Sequence, residues 1–218
     1  GTKGLVGLDS LPVSPVVAGD LDGDGDQDVA GMRVVQGKQQ MAVYINQGDG
    51  AFGGATVVAE SEDQTASNFH SFRAFDIDGD GRDEVIYTAS TDVAAVGGAA
   101  FGGFGADGAW THATIAIDLV DALQDAYPVD LDGDGALEIL VANNATGAIL
   151  RYPVLPTLPS TFGAETTLGT LPAVRTLWAA DMDGDKDLDV VALSSTGAAA
   201  WFENLQTSFT SHALASDL

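Results

Sequence analysis

The chain has 218 residues, 45% of them hydrophobic, with 27 glycines and no cysteine. That is enough to bury a sizeable core, as one domain or an array of small units, and it leaves no role for disulfides or thiol chemistry. The formal charge of −24, with only eight Lys and Arg, excludes a nucleic-acid partner and disfavours anionic membrane surfaces, and no apolar run is long enough for membrane insertion by a helix.

In chain order, residues 1–11 come first. Their pattern at 5–8 resembles the segments that close later units, so it reads as an outer strand of a preceding unit. The first full unit spans 12–61. It opens on the apolar run Val16-Val17-Ala18 and continues into Asp20-Leu21-Asp22-Gly23-Asp24-Gly25-Asp26-Gln27-Asp28. Short β-branched runs around an acidic, Gly-bearing segment predict a strand–loop–strand hairpin. A third strand, Met41-Ala42-Val43-Tyr44-Ile45, and the turn Asn46-Gln47-Gly48-Asp49-Gly50 follow, with Phe52 opening a fourth strand.

The same order recurs three times. The second unit, 68–120, carries DIDGDGRDE from Asp76; the third, 125–172, carries DLDGDGALE from Asp130; the fourth, 173–216, carries DMDGDKDLD from Asp181. The first aspartates, at 20, 76, 130 and 181, lie 56, 54 and 51 residues apart, a period in the range of propeller blades. Trp110, Phe162 and Phe209 stand where Phe52 stands in the first unit. Residues 93–109 are the outlier: small and Gly-rich where a third strand belongs, they read as a long flexible hairpin or, alternatively, an adaptable binding loop around Phe101 and Phe104.

Each nine-residue copy has acids at positions 1, 3, 5 and 9. These are Asp20, Asp22, Asp24 and Asp28; Asp76, Asp78, Asp80 and Glu84; Asp130, Asp132, Asp134 and Glu138; Asp181, Asp183, Asp185 and Asp189. The backbone carbonyl of position 7 (Asp26, Arg82, Ala136 and Asp187) would add a further oxygen. An all-oxygen set in a tight loop suits a hard cation that takes six to eight ligands at ~2.3–2.6 Å, which predicts Ca²⁺ at four sites. A cation also accounts for packing four carboxylates into nine residues. The EF-hand is excluded, because its bidentate Glu at position 12 is replaced by Gly31, Tyr87, Val141 and Ala192.

These loops, together with Phe52-Gly53-Gly54-Ala55 and Phe162-Gly163-Ala164, resemble FG-GAP/VCBS repeats, as in integrin α-subunit propellers and Psathyrella-type lectins. Copies two and four keep only the aromatic. The resemblance covers nearly the whole chain. It implies an all-β fold of β-propeller blades, each of four antiparallel strands, with four repeats here. It also implies about seven blades in all, so the chain is expected to be an arc completed by the rest of a longer chain or by a second copy, with a closed four-blade ring as the alternative. The start at Gly1 rather than Met reads as that of a processed product or an excerpt.

The resemblance further implies an extracellular, secreted or cell-surface setting. The expected function is non-catalytic recognition, adhesion or assembly with a protein or glycan ligand. A lectin is the alternative, and the propeller part of a sugar lyase or dehydratase a more distant one. Trp110, Trp178 and Trp201 could stack sugars, but they occupy different strands of their repeats. His70, His112 and His212 lie in three repeats, Ser194-Ser195 has no partner base in sight, and no catalytic set emerges. Asn144-Ala145-Thr146 is a glycosylation sequon at Asn144, and Pro153, Pro156 and Pro159 read as a loop or protected edge.

Overall fold

A computed structural model describes residues 15–48, 50–60, 69–89, 98–117, 123–155 and 161–215. The expected outer strand at 5–8, and Pro156 and Pro159, lie outside these residues. The described residues form four antiparallel sheets. The first holds β1 (Val16–Gly19), β2 (Asp28–Val35), β3 (Lys38–Tyr44) and β4 (Thr56–Glu60) in that order. The second holds β5 (Phe69–Phe75), β6 (Glu84–Ala89), β7 (Gly98–Phe104) and β8 (Trp110–Ile117).

The third sheet contains β9 (Leu123–Val129), β10 (Glu138–Asn143) and β11 (Ala148–Leu155); β12 (Thr161–Phe162) and β13 (Thr166–Thr170) both pair with β11. The fourth contains β14 (Val174–Ala180), β15 (Asp189–Ser194), β16 (Ala199–Asn204) and β17 (Phe209–Ala215). Every sheet is an up-and-down meander, which is the propeller blade. Among the described residues no helix is long and apolar enough to cross a membrane.

Three apolar clusters join the sheets in chain order. Leu21, Met41 and Val43 meet Phe69, Phe72 and Tyr87 between the first and second sheets. Ile86 and Phe101 meet Ile139 and Tyr152 between the second and third, and Leu140 and Ile149 meet Leu177 and Phe202 between the third and fourth. No such cluster joins the fourth sheet to the first among the described residues. Fully burying one of these large side chains contributes ~1.5–3 kcal/mol, so the stack is held mainly by its faces. Strand β6 is buried at every residue because its sheet is covered on both sides, whereas β15 ends with Leu193 exposed.

Two sequence expectations change. Residues 93–97 of the Gly-rich stretch lie outside the described residues, but Gly98–Phe104 is no flexible loop: it is strand β7, buried along nearly its whole length and paired with β8. Its glycines permit close approach. A Cβ on Gly102 would sit 2.8 Å from the Trp110 indole, and one on Gly103 would sit 2.9 Å from Glu84 Oε1. The aromatic opens an unbroken fourth strand only at Trp110 and Phe209. Phe52 instead forms an isolated bridge with Asn46, and Phe162 lies in the two-residue β12. In both cases the following glycine donates its N–H back toward the third strand, Gly53 to the carbonyl of Ile45 just past β3 and Gly163 to that of Pro153 in β11, at 2.8 Å each. The Phe-Gly pair therefore marks a break before the main fourth strand.

Candidate metal centre

Each acidic loop joins the first strand of a sheet to the second, so all four lie at the same end of the stack. The first two touch: Asp83 N–H donates to the Asp20 carbonyl at 2.7 Å, and Asp20 N–H donates to Asp83 Oδ2 at 3.0 Å.

One hydrogen-bond skeleton builds all four loops. The carboxylate at position 1 folds the chain around itself. Its Oδ1 accepts the N–H of position 4 (Gly23 2.8, Gly79 2.7, Gly133 2.9 and Gly184 2.6 Å). Its Oδ2 accepts that of position 6 (Gly25 2.9, Gly81 3.0, Gly135 3.0 and Lys186 3.2 Å). Both donors sit at positive φ, for example 81° at Gly23 and 92° at Gly25, which glycine adopts without steric cost. Lys186 holds the same conformation, at φ 84°. Position 5 caps the exit, its Oδ1 accepting the N–H of position 7 at 2.8–3.0 Å in every copy.

Position 9 opens the second strand and is buried in all four copies. It accepts the N–H of position 2 from Leu21, Ile77, Leu131 and Met182 at 2.8–2.9 Å. Where it is Asp, its other oxygen accepts the N–H of an asparagine at the end of the third strand, Asn46 or Asn204, at 2.8 Å. Where it is Glu, Phe104 or Val154 stands there instead, and the Val154 N–H donates to the Leu137 carbonyl at 2.8 Å.

The outcome is a converging triad. Ligand oxygens of Asp20, Asp22 and Asp28 lie within 4.8 Å of one another, as do those of Asp76, Asp78 and Glu84, of Asp130, Asp132 and Glu138, and of Asp181, Asp183 and Asp189. Asp24, Asp80, Asp134 and Asp185, at position 5, stand outside these tight groups. Such clustering strains the ionised state. Glu84 is pushed up to about 7, chiefly by burial and further by Asp78, Asp76 and Asp80. Asp187 is pushed up to about 6 by desolvation and by its hydrogen bond with Asp185. A divalent cation among these oxygens would offset the repulsion, and the donor set fits a hard one. The four clusters could hold metal ions.

Sequence reasoning missed the partners that come from other strands. Arg151 Nη2 donates to Asp132 Oδ2 at 2.6 Å and to Glu138 Oε1 at 2.5 Å. Asn204 Nδ2 donates to the Leu131 carbonyl at 2.9 Å and so ties the third loop to the fourth sheet. An asparagine 18 or 15 residues after an Asp at position 9, absent from the Glu copies, was the readable signal.

The other candidates are dispersed. Asn144 Nδ2, the atom a glycan would join, donates to the Val174 carbonyl at 3.1 Å across the third and fourth sheets. Trp110 packs edge-on to Phe104, and Trp201 stacks on His212 with ring centroids 4.4 Å apart. His212 also meets Glu203 at 2.7 Å. His112 pairs with Gly102 whereas His212 pairs with Trp201, one register step apart, so the two histidines face opposite sides of their sheets.

A search of curated proteins returned no match. The family model for the FG-GAP-like repeat matches residues 20–87 and 130–192, two segments that begin at the first aspartate of a loop and together contain all four loops. With more than half of its length matched and one loop skeleton repeated four times, the chain belongs to the FG-GAP-like repeat family.

Proposed function

We propose that the chain is a calcium-stabilised, non-catalytic recognition or adhesion module that works outside the cell, with one Ca²⁺ in each acidic loop. The observation that carries the reading is the fourfold recurrence of three converging carboxylates on one hydrogen-bond skeleton. Asp20, Asp22 and Asp28 and their counterparts would hold the ion, with position 5 and the position 7 carbonyl completing its oxygen shell. The bound ion would supply positive charge that relieves carboxylate repulsion and fixes the hairpin. Extracellular calcium, at roughly millimolar levels, suits open loops of this kind.

The acids on which an enzyme reading would draw are engaged in building the loops, which supports a binding role. A glycan-binding role rests on Trp178 alone, the tryptophan that is 57% exposed. The sequon reading of Asn144 is disfavoured by its hydrogen bond to Val174.

Thermal melting in calcium and in excess chelator tests the calcium reading. A ligand bound only by the native state, at a concentration 100 times its Kd, adds ~2.7 kcal/mol per independent site. Chelation should therefore lower Tm by many degrees, and identical melting curves would remove the reading.

A further inference from the structure

The four loops differ most in a guanidinium. The Nη2 atom of Arg151 donates to Asp132 at 2.6 Å and to Glu138 at 2.5 Å, the position 3 and position 9 ligands of the third loop. These are two of the three carboxylates that converge there. A single nitrogen thus bridges two ligand groups, as a bound cation would.

The other loops have no such group from this place. Arg151 pairs with Leu140, and by register the corresponding residues are Val43, Phe101 and Trp201. Arg82 packs against Gly23 and donates to Asp80, a position 5 acid outside the tight group, rather than to two of the converging three. The Arg151 side chain is 22% exposed and its Nε is buried without a partner, so the guanidinium is held in the fold rather than swung into solvent.

We propose that Arg151 is a built-in cation that competes with Ca²⁺ for Asp132 and Glu138. The third loop is thereby partly neutralised when calcium is scarce, and it fills only at higher calcium. This inference rests on the calcium reading above. A divalent ion placed ~6 Å from a fixed unit positive charge in a well-solvated site loses about tenfold in affinity. The same charge spares this loop the repulsion that the others bear without metal.

The test is a CaCl₂ titration of the whole chain followed by ¹H–¹⁵N NMR. The amides of Gly25, Gly81 and Gly135 each bond to the position 1 aspartate of their own loop, so each reports its own site. In the wild-type chain Gly135 is expected to reach half-shift at about tenfold more calcium than Gly81, the other Glu-bearing loop. Arg151→Met should bring the Gly135 midpoint down to that of Gly81 and leave Gly25 and Gly81 unmoved. An unchanged Gly135 midpoint overturns the proposal. So does a raised one, which would make Arg151 a positioning residue for the ligands. If Arg151→Met does not fold, the wild-type order decides, and Gly135 filling with or before Gly81 overturns it. If none of the three glycines responds, the calcium reading itself has failed and this inference falls with it.

Discussion

Arg73 reaches across a sheet boundary to Asp125, its Nη2 lying 3.0 Å from Asp125 Oδ2, and the same oxygen accepts the Leu177 backbone N–H at 3.0 Å. One carboxylate oxygen on β9 therefore clasps β5 before it and β14 after it. The Arg73 guanidinium also sits 5.8 Å from the centroid of the Tyr127 ring, and that ring lies 5.2 Å from the ring of Trp178. Polar and aromatic contacts thus run along the inner strands of three sheets, beside the apolar clusters between their faces.

Removing that clasp should loosen the stack. Asp125→Ala leaves the Leu177 N–H and a partly exposed guanidinium without their partner, and should cost ~2–3 kcal/mol, at or just below the low end for broken buried pairs because Arg73 is 29% exposed. Burial raises the Asp125 pKa above the usual carboxylate value, with Arg73 and the Leu177 N–H opposing. The native state then holds the proton more tightly than the unfolded chain, so the stability that Asp125 contributes falls as pH rises from the unfolded to the folded pKa. Urea unfolding of wild type and Asp125→Asn across that window, at saturating calcium, isolates this effect. The asparagine variant should gain relative to wild type as pH rises; a flat difference contradicts the linkage.

Lys186 is the departure within the fourth loop. It stands at φ 84°, where the other loops have glycine, and its N–H reaches Asp181 at 3.2 Å rather than 2.9–3.0 Å. A side chain in left-handed backbone costs on the order of 1 kcal/mol, and this one brings a positively charged residue into the acidic loop. Lys186→Gly should raise stability by about 1 kcal/mol and tighten metal binding at the fourth loop. Urea unfolding of the two proteins in chelator checks the first and calorimetric titration with calcium the second, and equal affinity before and after the change would refute the idea.

What was legible in the sequence is what the chain builds locally. Within nine residues each loop supplies its own acceptors, donors and glycines, so Asp20 to Asp28 and their three counterparts announced both the hairpins and the candidate ligands. The spacing of those loops then implied one sheet per repeat. Contacts between distant residues were not legible. Asp125 meets Arg73 and Leu177, each 52 residues away, and Arg151 returns to the third loop from a neighbouring strand. Strand β7 was missed because glycine has low strand propensity, and Gly102 becomes a good strand residue only once the Trp110 ring lies over it.

The uncovered face of the fourth sheet yields the last prediction. Val17, Arg73, Tyr127 and Trp178 hold the same register, paired with Ala30, Ile86, Leu140 and Val191. The first three point toward the next sheet: Val17 packs on the first cluster, Arg73 reaches Asp125, and Tyr127 meets Trp178. Trp178 repeats that position, yet it is 57% exposed, with Leu193 on the same face 49% exposed. On the opposite side of the first sheet Val16 is 67% exposed. An apolar sheet face of this kind is an association surface, and its counterparts in this chain are each covered by another sheet of the same kind. The 218-residue chain should therefore self-associate head to tail, the Trp178 face of one copy against the Val16 face of another. Sedimentation velocity over a range of concentrations should show association that Trp178→Glu and Val16→Glu each abolish. A wild-type chain that stays monomeric, or a Trp178→Glu variant that associates as well as wild type, would show that this face is not where a further sheet docks.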